Sequence, residues 1–271
     1  MIGLGLGPPF GQPAGGFSSP EYQTVYDAYV GTIPDAAQAD AQNTMAKFLV
    51  DTSVWAKLDV LQIYANGDSP NMSLNWKNPG TIDATAVNLP TFEPWEGVTH
   101  VAATSYINSN FIPATHGVNY TLNDASLGVY IRTNIAEDNY DFGARGTAVQ
   151  YSLIQARNSS NDTEFRVNDS ATISKANADS RGLFIIQRTS ATTKEVFRNN
   201  VSLGSGNVAS NDLPDRAVFV LCNNNNGTAV GFSTKQVSLF FAGASLTPQN
   251  RADLQTAFET YMDFLGKGVI T

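Results

Sequence analysis

The chain holds one cysteine, Cys222, and two histidines, His100 and His116, in 271 residues, and only 15% of it is charged. A single cysteine excludes an intramolecular disulfide, and with two histidines it also excludes a structural zinc site built from Cys and His. Cys222 follows the apolar run Val218–Leu221, so a buried, unreactive thiol is expected. No run of 18 apolar residues is present, which argues against membrane insertion. Basic residues are also few: 16 against 24 acidic, a net charge of −8. Such a chain repels phosphate backbones, so a nucleic-acid partner is not expected. No Lys or Arg precedes Lys47, which leaves the start without the basic region of a secretory signal. The expectation is a protein made and used without the Sec pathway.

Asn, Ser, Thr and Gly take the place of charge, and that composition suits turn-rich β structure. Residues 1–19 form a Gly/Pro-rich arm carrying Ile2, Leu4, Leu6, Phe10 and Phe17. A pure linker avoids such residues, so the arm is read as a docking segment, on its own body or on a neighbour. Gly3, Gly5 and Gly7 lack the strand and helix that a dinucleotide-binding turn needs.

Residues 20–66 read as a helical attachment segment. Ser19 caps and Pro20 opens a helix whose Tyr22, Val25, Tyr26 and Tyr29 share one face. Asp35 caps a second helix, with Ala41, Met45, Phe48 and Leu49 on its buried side. A third is expected from Ser53, with Val54, Leu58 and Leu61 aligned.

Residues 67–271 read as a sandwich closed by a C-terminal helix. Short runs rich in Val, Ile, Phe, Tyr and Thr alternate with Asn, Gly, Asp and Pro clusters. Strands are expected at 71–77, 98–107, 126–133, 139–145, 149–156, 164–168, 182–189, 194–198, 216–222, 228–233 and 235–243. Asn199-Asn200 marks a tight hairpin turn. Thr247 and Pro248 open the last helix, and Leu254, Ala257, Phe258, Tyr261, Met262 and Leu265 form its stripe up to Gly266.

Chemistry is harder to find. No G-x-S-x-G elbow accompanies the histidines. Glu137, Asn139 and Asp141 alternate and could share a face, yet they sit in what reads as a turn, without a supporting third carboxyl. No catalytic set, metal site or cofactor is assigned, and the chain is read as not an enzyme. A glycoside hydrolase ranks below a soluble lectin-like module among the alternatives. Sugar rings have apolar faces and polar rims, so loop aromatics beside amides are candidate glycan contacts. Those residues are Trp76, Trp95, Tyr120, Asn139, Asp141, Asn224 and Asn225.

Four stretches resemble the laminin-G-like, concanavalin A-like family: Ser126–Thr133, Gly182–Arg188, Thr193–Asn200 and Leu239–Thr247. The resemblance implies a mainly β fold, an antiparallel jelly-roll sandwich, here flanked by an N-terminal helical segment and a C-terminal helix. The acidic residue often found in the family's closing strand is absent, so no metal is expected. Over most of residues 1–266 the order of short motifs is similar to structural proteins of tailed-bacteriophage virions. These are Met1–Gly7, Val54–Leu58, Trp76–Pro79 with Asp83-Ala84, Tyr130–Asn134, Asp141–Gly143 and the terminal Ser245-Leu-Thr helix. That likeness implies a tail-fibre, head-fibre or decoration protein located in the virion and anchored by its arm to other virion proteins. A homo-oligomer and binding to host surface glycans are part of the same expectation.

Overall fold

The computed structural model describes residues 16–101, 104–148 and 150–270. The helices are α1 (Pro20–Asp27), α2 (Ala36–Asp51), α3 (Val54–Lys57), α4 (Ser69–Met72), α5 (Pro113–His116) and α6 (Pro248–Phe264). The first strands are β1 (Leu58–Ile63), β2 (Thr85–Val87), β3 (Thr91–Glu93), β4 (Gly97–Thr99), β5 (Tyr106–Asn108) and β6 (Ala125–Ile131). There follow β7 (Phe142–Arg145), β8 (Tyr151–Gln155), β9 (Asp162–Asp169), β10 (Ile173–Ala176), β11 (Gly182–Arg188) and β12 (Thr193–Arg198). The last are β13 (Val201–Asn207), β14 (Phe219–Val220), β15 (Asn223–Asn225), β16 (Thr228–Val230) and β17 (Gln236–Gly243).

Two sheets stack face to face. One runs β13-β12-β11-β6-β17-β4-β3, with β1 also paired to β17. The other runs β10-β9-β8-β7-β14-β5-β2, with β15 and β16 attached. Among the described residues, pairing between the named strands is antiparallel except between β15 and β7, and an isolated Tyr140↔Phe232 bridge is also parallel. The chain is therefore a mainly β, jelly-roll-type sandwich with an added C-terminal helix.

The longest apolar strands are explained by a third layer. Residues alternate across a strand. In β6, β11 and β17 both faces are apolar. Leu127, Val129, Phe184, Ile186 and Phe240 face the second sheet, and Tyr130, Leu183, Ile185, Leu239 and Phe241 face the helices. Helices α1, α2 and α6 cover that outer side with Tyr22, Val25, Leu49, Leu254, Phe258 and Met262. We call this the covered sheet and its partner the open sheet.

Helix starts follow local chemistry. The Ser19 hydroxyl accepts from the Tyr22 amide at 3.3 Å. Asp35 and Gln38 form a reciprocal capping box at α2, and Thr247 with Asn250 does the same at α6. Asn199 and Asn200 take φ of 51° and 59° in the β12–β13 turn, conformations that Asn tolerates.

Three expectations need correction. The third helix is one turn long, and Leu58–Ile63 then pairs with β17 from Leu58↔Gly243 to Ile63↔Leu239. Non-local pairing to a buried strand outweighs the local helical spacing of Leu58 and Leu61. The segment 20–66 therefore contributes a strand to the sandwich, and its helices pack on their own sheet. Residues 71–77 form no strand; α4 and a turn occupy them, joined to β1 by a single Gln62↔Asn75 bridge. Residues 98–107 are split between β4 of the covered sheet and β5 of the open one. Of the arm, Phe17 is half-buried and packs edge-on against Tyr22 and tilted against Tyr26, at 4.7 and 4.8 Å between ring centroids. Ile2, Leu4, Leu6 and Phe10 lie outside the described residues.

Candidate functional site

The structure does not bring the expected glycan contacts together. Trp76 is buried beneath α1, 5.8 Å from the Tyr22 ring. Tyr120 lies between the sheets, its hydroxyl donating to Asn168 Oδ1 at 2.7 Å. Both rings fill core, because a large apolar surface is worth more buried than displayed. Trp95 is half-buried and its ring packs over Gly67, where a Cβ would lie 2.8 Å from the indole. Asn224 is consumed by its turn, donating to Ala217 O and accepting from the Gly227 amide.

Asp141 is fully buried. It accepts from the Ala156 amide at 2.6 Å and pairs with Lys235 at 3.1 Å. Glu137 reaches the same ammonium at 3.4 Å and accepts from Thr234. Burial pushes the Glu137 carboxyl up, but Lys235, Ser233 and Thr234 outweigh it and hold it below the usual carboxylate range. Asn139 donates to Glu137 at 3.3 Å. These groups converge on one buried lysine rather than facing each other across a cleft, so they serve as a structural ion cluster.

A different surface has the makings of a site: the outer face of the open sheet. On β7, Phe142 and Ala144 enter the core, which turns Gly143 and Arg145 outward. The same alternation turns Tyr151 and Leu153 of β8 and Arg166 of β9 outward, opposite Ile154, Phe165 and Val167. Register places Gly143 beside Leu153, Leu153 beside Arg166, and Arg145 beside Tyr151. The Tyr151 ring centroid lies 4.2 Å from the Arg166 guanidinium carbon and 5.6 Å from that of Arg145. Stacking of this kind holds a guanidinium flat and limits its rotamers. Arg145 also donates from Nη1 to Asn225 Oδ1 at 2.8 Å, and Arg166 from Nε to Thr172 Oγ1 at 2.8 Å. Asn225 is thus the one expected contact that reaches this face.

Beside them, the Asn223 carboxamide lies over Gly143, where a Cβ would come within 2.6 Å of its Oδ1. Asn223 is 3% exposed, and its Oδ1 has no partner among the described residues; neither has Arg145 Nε. Buried polar atoms in folded proteins are mostly bonded, so two such orphans in one place call for an explanation. On the far side of Gly143, Phe219 stacks on Tyr106 at 4.4 Å, and the contacts continue through Phe232 to His100. The face therefore offers the half-buried rings of Tyr106 and Phe232 over buried Phe219, together with amides and two guanidiniums.

Loop composition in the sequence does not point to this set, because its members lie on strands. The available signal was phase. Arg145 and Arg166 stand at the non-core positions of their strands, in a chain with few cations. Among the described residues no group of His, Cys, Asp and Glu is arranged to hold a metal ion.

No protein-family model and no curated protein sequence matches the chain. Solved structures do. Trypanosoma rangeli sialidase in complex with 2,3-difluorosialic acid, a covalent intermediate, superimposes with a TM-score of 0.53 at 12% identity, covering 82% of this chain and 40% of that one. The same sialidase in complex with sialic acid gives 0.53 at 11%, covering 81% and 39%. The botulinum neurotoxin serotype D binding domain gives 0.53 at 7%, covering 75% and 52%. This chain spans about 40% of the length of the sialidase chains it matches. At these identities the likeness is one of fold.

The comparison overturns one expectation. The expectation that the chain is not an enzyme rested on finding no catalytic set in its sequence, yet the chains that share its fold include a sialidase caught as a covalent intermediate. The sandwich is no ground for excluding catalysis, and that exclusion is withdrawn.

Proposed function

We propose that this chain binds carbohydrate across the outer face of its open sheet. The observation that carries the reading is the outward cluster of Arg145, Tyr151 and Arg166 beside the unpartnered Asn223 Oδ1. A sugar needs an apolar surface for its ring face and a few placed polar groups for its rim. Half-buried Tyr106 and Phe232, backed by buried Phe219, supply the first, and Asn223, Asn225 and the arginines supply the second. The shared fold with a sialidase solved with sialic acid and with a neurotoxin binding domain supports the reading. The test is an oligosaccharide panel measured by calorimetry against the intact chain and against Tyr151→Ala and Phe232→Ala. Saturable binding, weakened about tenfold or more by either variant with an unchanged melting temperature, is expected. Flat titrations across the panel would sink the proposal.

The setting we propose for this module is the particle of a tailed phage, a reading supported by the resemblance of the sequence. An apolar groove of about 340 Å³ between α2 and α6, lined by Ala41, Thr44, Phe48, Thr260 and Phe264, offers a surface for neighbours on the helical layer. Phe264 is 51% exposed there. Gold-labelled antibody on purified particles tests this, and intact particles that bind no label would refute it.

A further inference from the structure

We infer that the saccharide bound by the open face carries a negative charge, a carboxylate or a sulfate, held by Arg145 and Arg166. The inference rests on the carbohydrate-binding reading above and names the ligand class of that same face.

Charge balance is the starting point. The chain carries −8 overall, and acids outnumber bases 24 to 16, so an arginine can readily find an acid. Arg132, Arg181, Arg188, Arg198 and Arg216 all do. Four do not among the described residues: Arg157 gives its donors to Asn134 and Asn161, and Arg251 to Asn200 and Leu246 O, which leaves Arg145 and Arg166 as the pair that share one open face around Tyr151. Glu164, two residues from Arg166 on the same face of β9, accepts from Asn158 instead. Asp215, near the end of β7, is taken up by Thr147 and Arg216.

Donor geometry points the same way. Arg166 uses Nε on Thr172, and Arg145 uses Nη1 on Asn225. Among the described residues, Arg166 Nη1 and Nη2 and Arg145 Nη2 donate to no protein atom, and the buried Arg145 Nε is likewise unpartnered. The guanidinium fork matches the planar edge of a carboxylate or two oxygens of a sulfate, forming parallel charge-assisted bonds. Tyr151, between the two forks, fixes their orientation before any ligand arrives. Preorganisation of this kind reduces the cost of ordering long side chains on binding. The Tyr106 and Phe232 rings beyond Gly143 then lie beside the charged end and take the sugar ring. A neutral sugar would leave the forks unused.

The experiment is calorimetry on the intact chain with four probes: a galacturonic acid trimer, a heparin-derived tetrasaccharide, maltotriose and a short single-stranded oligonucleotide. One or both acidic saccharides should bind at least about tenfold more tightly than maltotriose, and weaken at about 0.5 M salt. Preference between them tells carboxylate from sulfate. Arg145→Gln and Arg166→Gln should each weaken the acidic probe about tenfold, with Arg166→Lys between Gln and native. Melting temperatures check that each variant folds, and Arg166→Lys retains the charge should Gln disturb the strand. Binding of maltotriose with equal affinity, unmoved by the arginine variants, overturns the charge inference and leaves carbohydrate binding standing. Acidic probes bound as tightly by both Gln variants overturn it too, as does equal binding of the oligonucleotide. Silence from every saccharide removes both readings together.

Discussion

Gln42 Nε2 donates to the Tyr261 hydroxyl at 3.1 Å, joining α2 to α6 across 219 residues of sequence. The Gln42 carbonyl accepts from Tyr22 at 2.7 Å and from Tyr29 at 3.0 Å, while Tyr261 donates to Ala65 O. One buried amide thus satisfies three tyrosines. Gln42→Leu keeps the volume but leaves the Tyr22 and Tyr29 hydroxyl protons without their acceptor, while Tyr261 keeps its bond to Ala65 O. It should cost about 3 kcal/mol in urea unfolding. A loss under about 1 kcal/mol would show that the network repacks around water.

A second buried pair gives a pH signature. The Tyr130 hydroxyl donates to Glu259 Oε2 at 2.6 Å, and Glu259 Oε1 accepts from the Ile270 amide at 2.9 Å. Burial pushes the Glu259 carboxyl above its ordinary value of 4.5, against these hydrogen bonds. In the window above 4.5 and up to the raised folded value, the folded state binds more proton than the unfolded one. Stability from this group therefore falls as pH rises through that window and recovers as pH drops. Native chain minus Glu259→Gln should show that slope in melts between about pH 4 and 7. A flat difference would contradict it.

Asp169 is buried with Arg188 and Lys194, at 2.6 Å and 2.7 Å, where β9 meets β11 and β12 between the sheets. Burial pulls the Lys194 ammonium down, although Asp169 opposes this. Asp169→Ala leaves two buried cations facing each other and should cost about 3–5 kcal/mol. The double change of Asp169→Leu with Lys194→Met removes a cation with the acid and should recover part of the loss. Equal losses in single and double variants would deny the coupling.

Cys222 is fully buried, and burial pushes its thiol up. Ellman's reagent should detect no thiol in the native chain and one per chain in guanidinium, as one cysteine requires. Rapid labelling of folded protein would contradict the burial.

How much was legible varied with the range of the forces involved. Caps at Ser19, Asp35 and Thr247 and the Asn199-Asn200 turn depend on neighbours in sequence, and the structure has them where the residues said. Strands β6, β11 and β17 were visible because apolar side chains dominate both of their phases. Strand β1 was read as helix because Leu58 and Leu61 also suit helical spacing, and only β17, far along the chain, decides otherwise. The site is less legible still. Residue type marks Trp76 and Tyr120 as sugar platforms, but burial is a property of the assembled layers. Arg145, Tyr151 and Arg166 meet only through the registers of β7, β8 and β9, which no local pattern specifies.

The pairing of β1 with β17 also sets a timetable. Residues 58–63 find their partner only when residues 239–243 have been made, and α2 must wait for α6. On the ribosome, where chains emerge at about 5–20 residues per second, the N-terminal helices spend seconds beside a sheet that lacks its central strand. Their tyrosine face needs shelter for that interval. Nascent chains arrested before residue 236 should therefore be protease-sensitive and retained by chaperones, whereas release of the whole chain lets the covered sheet close in one late, cooperative step.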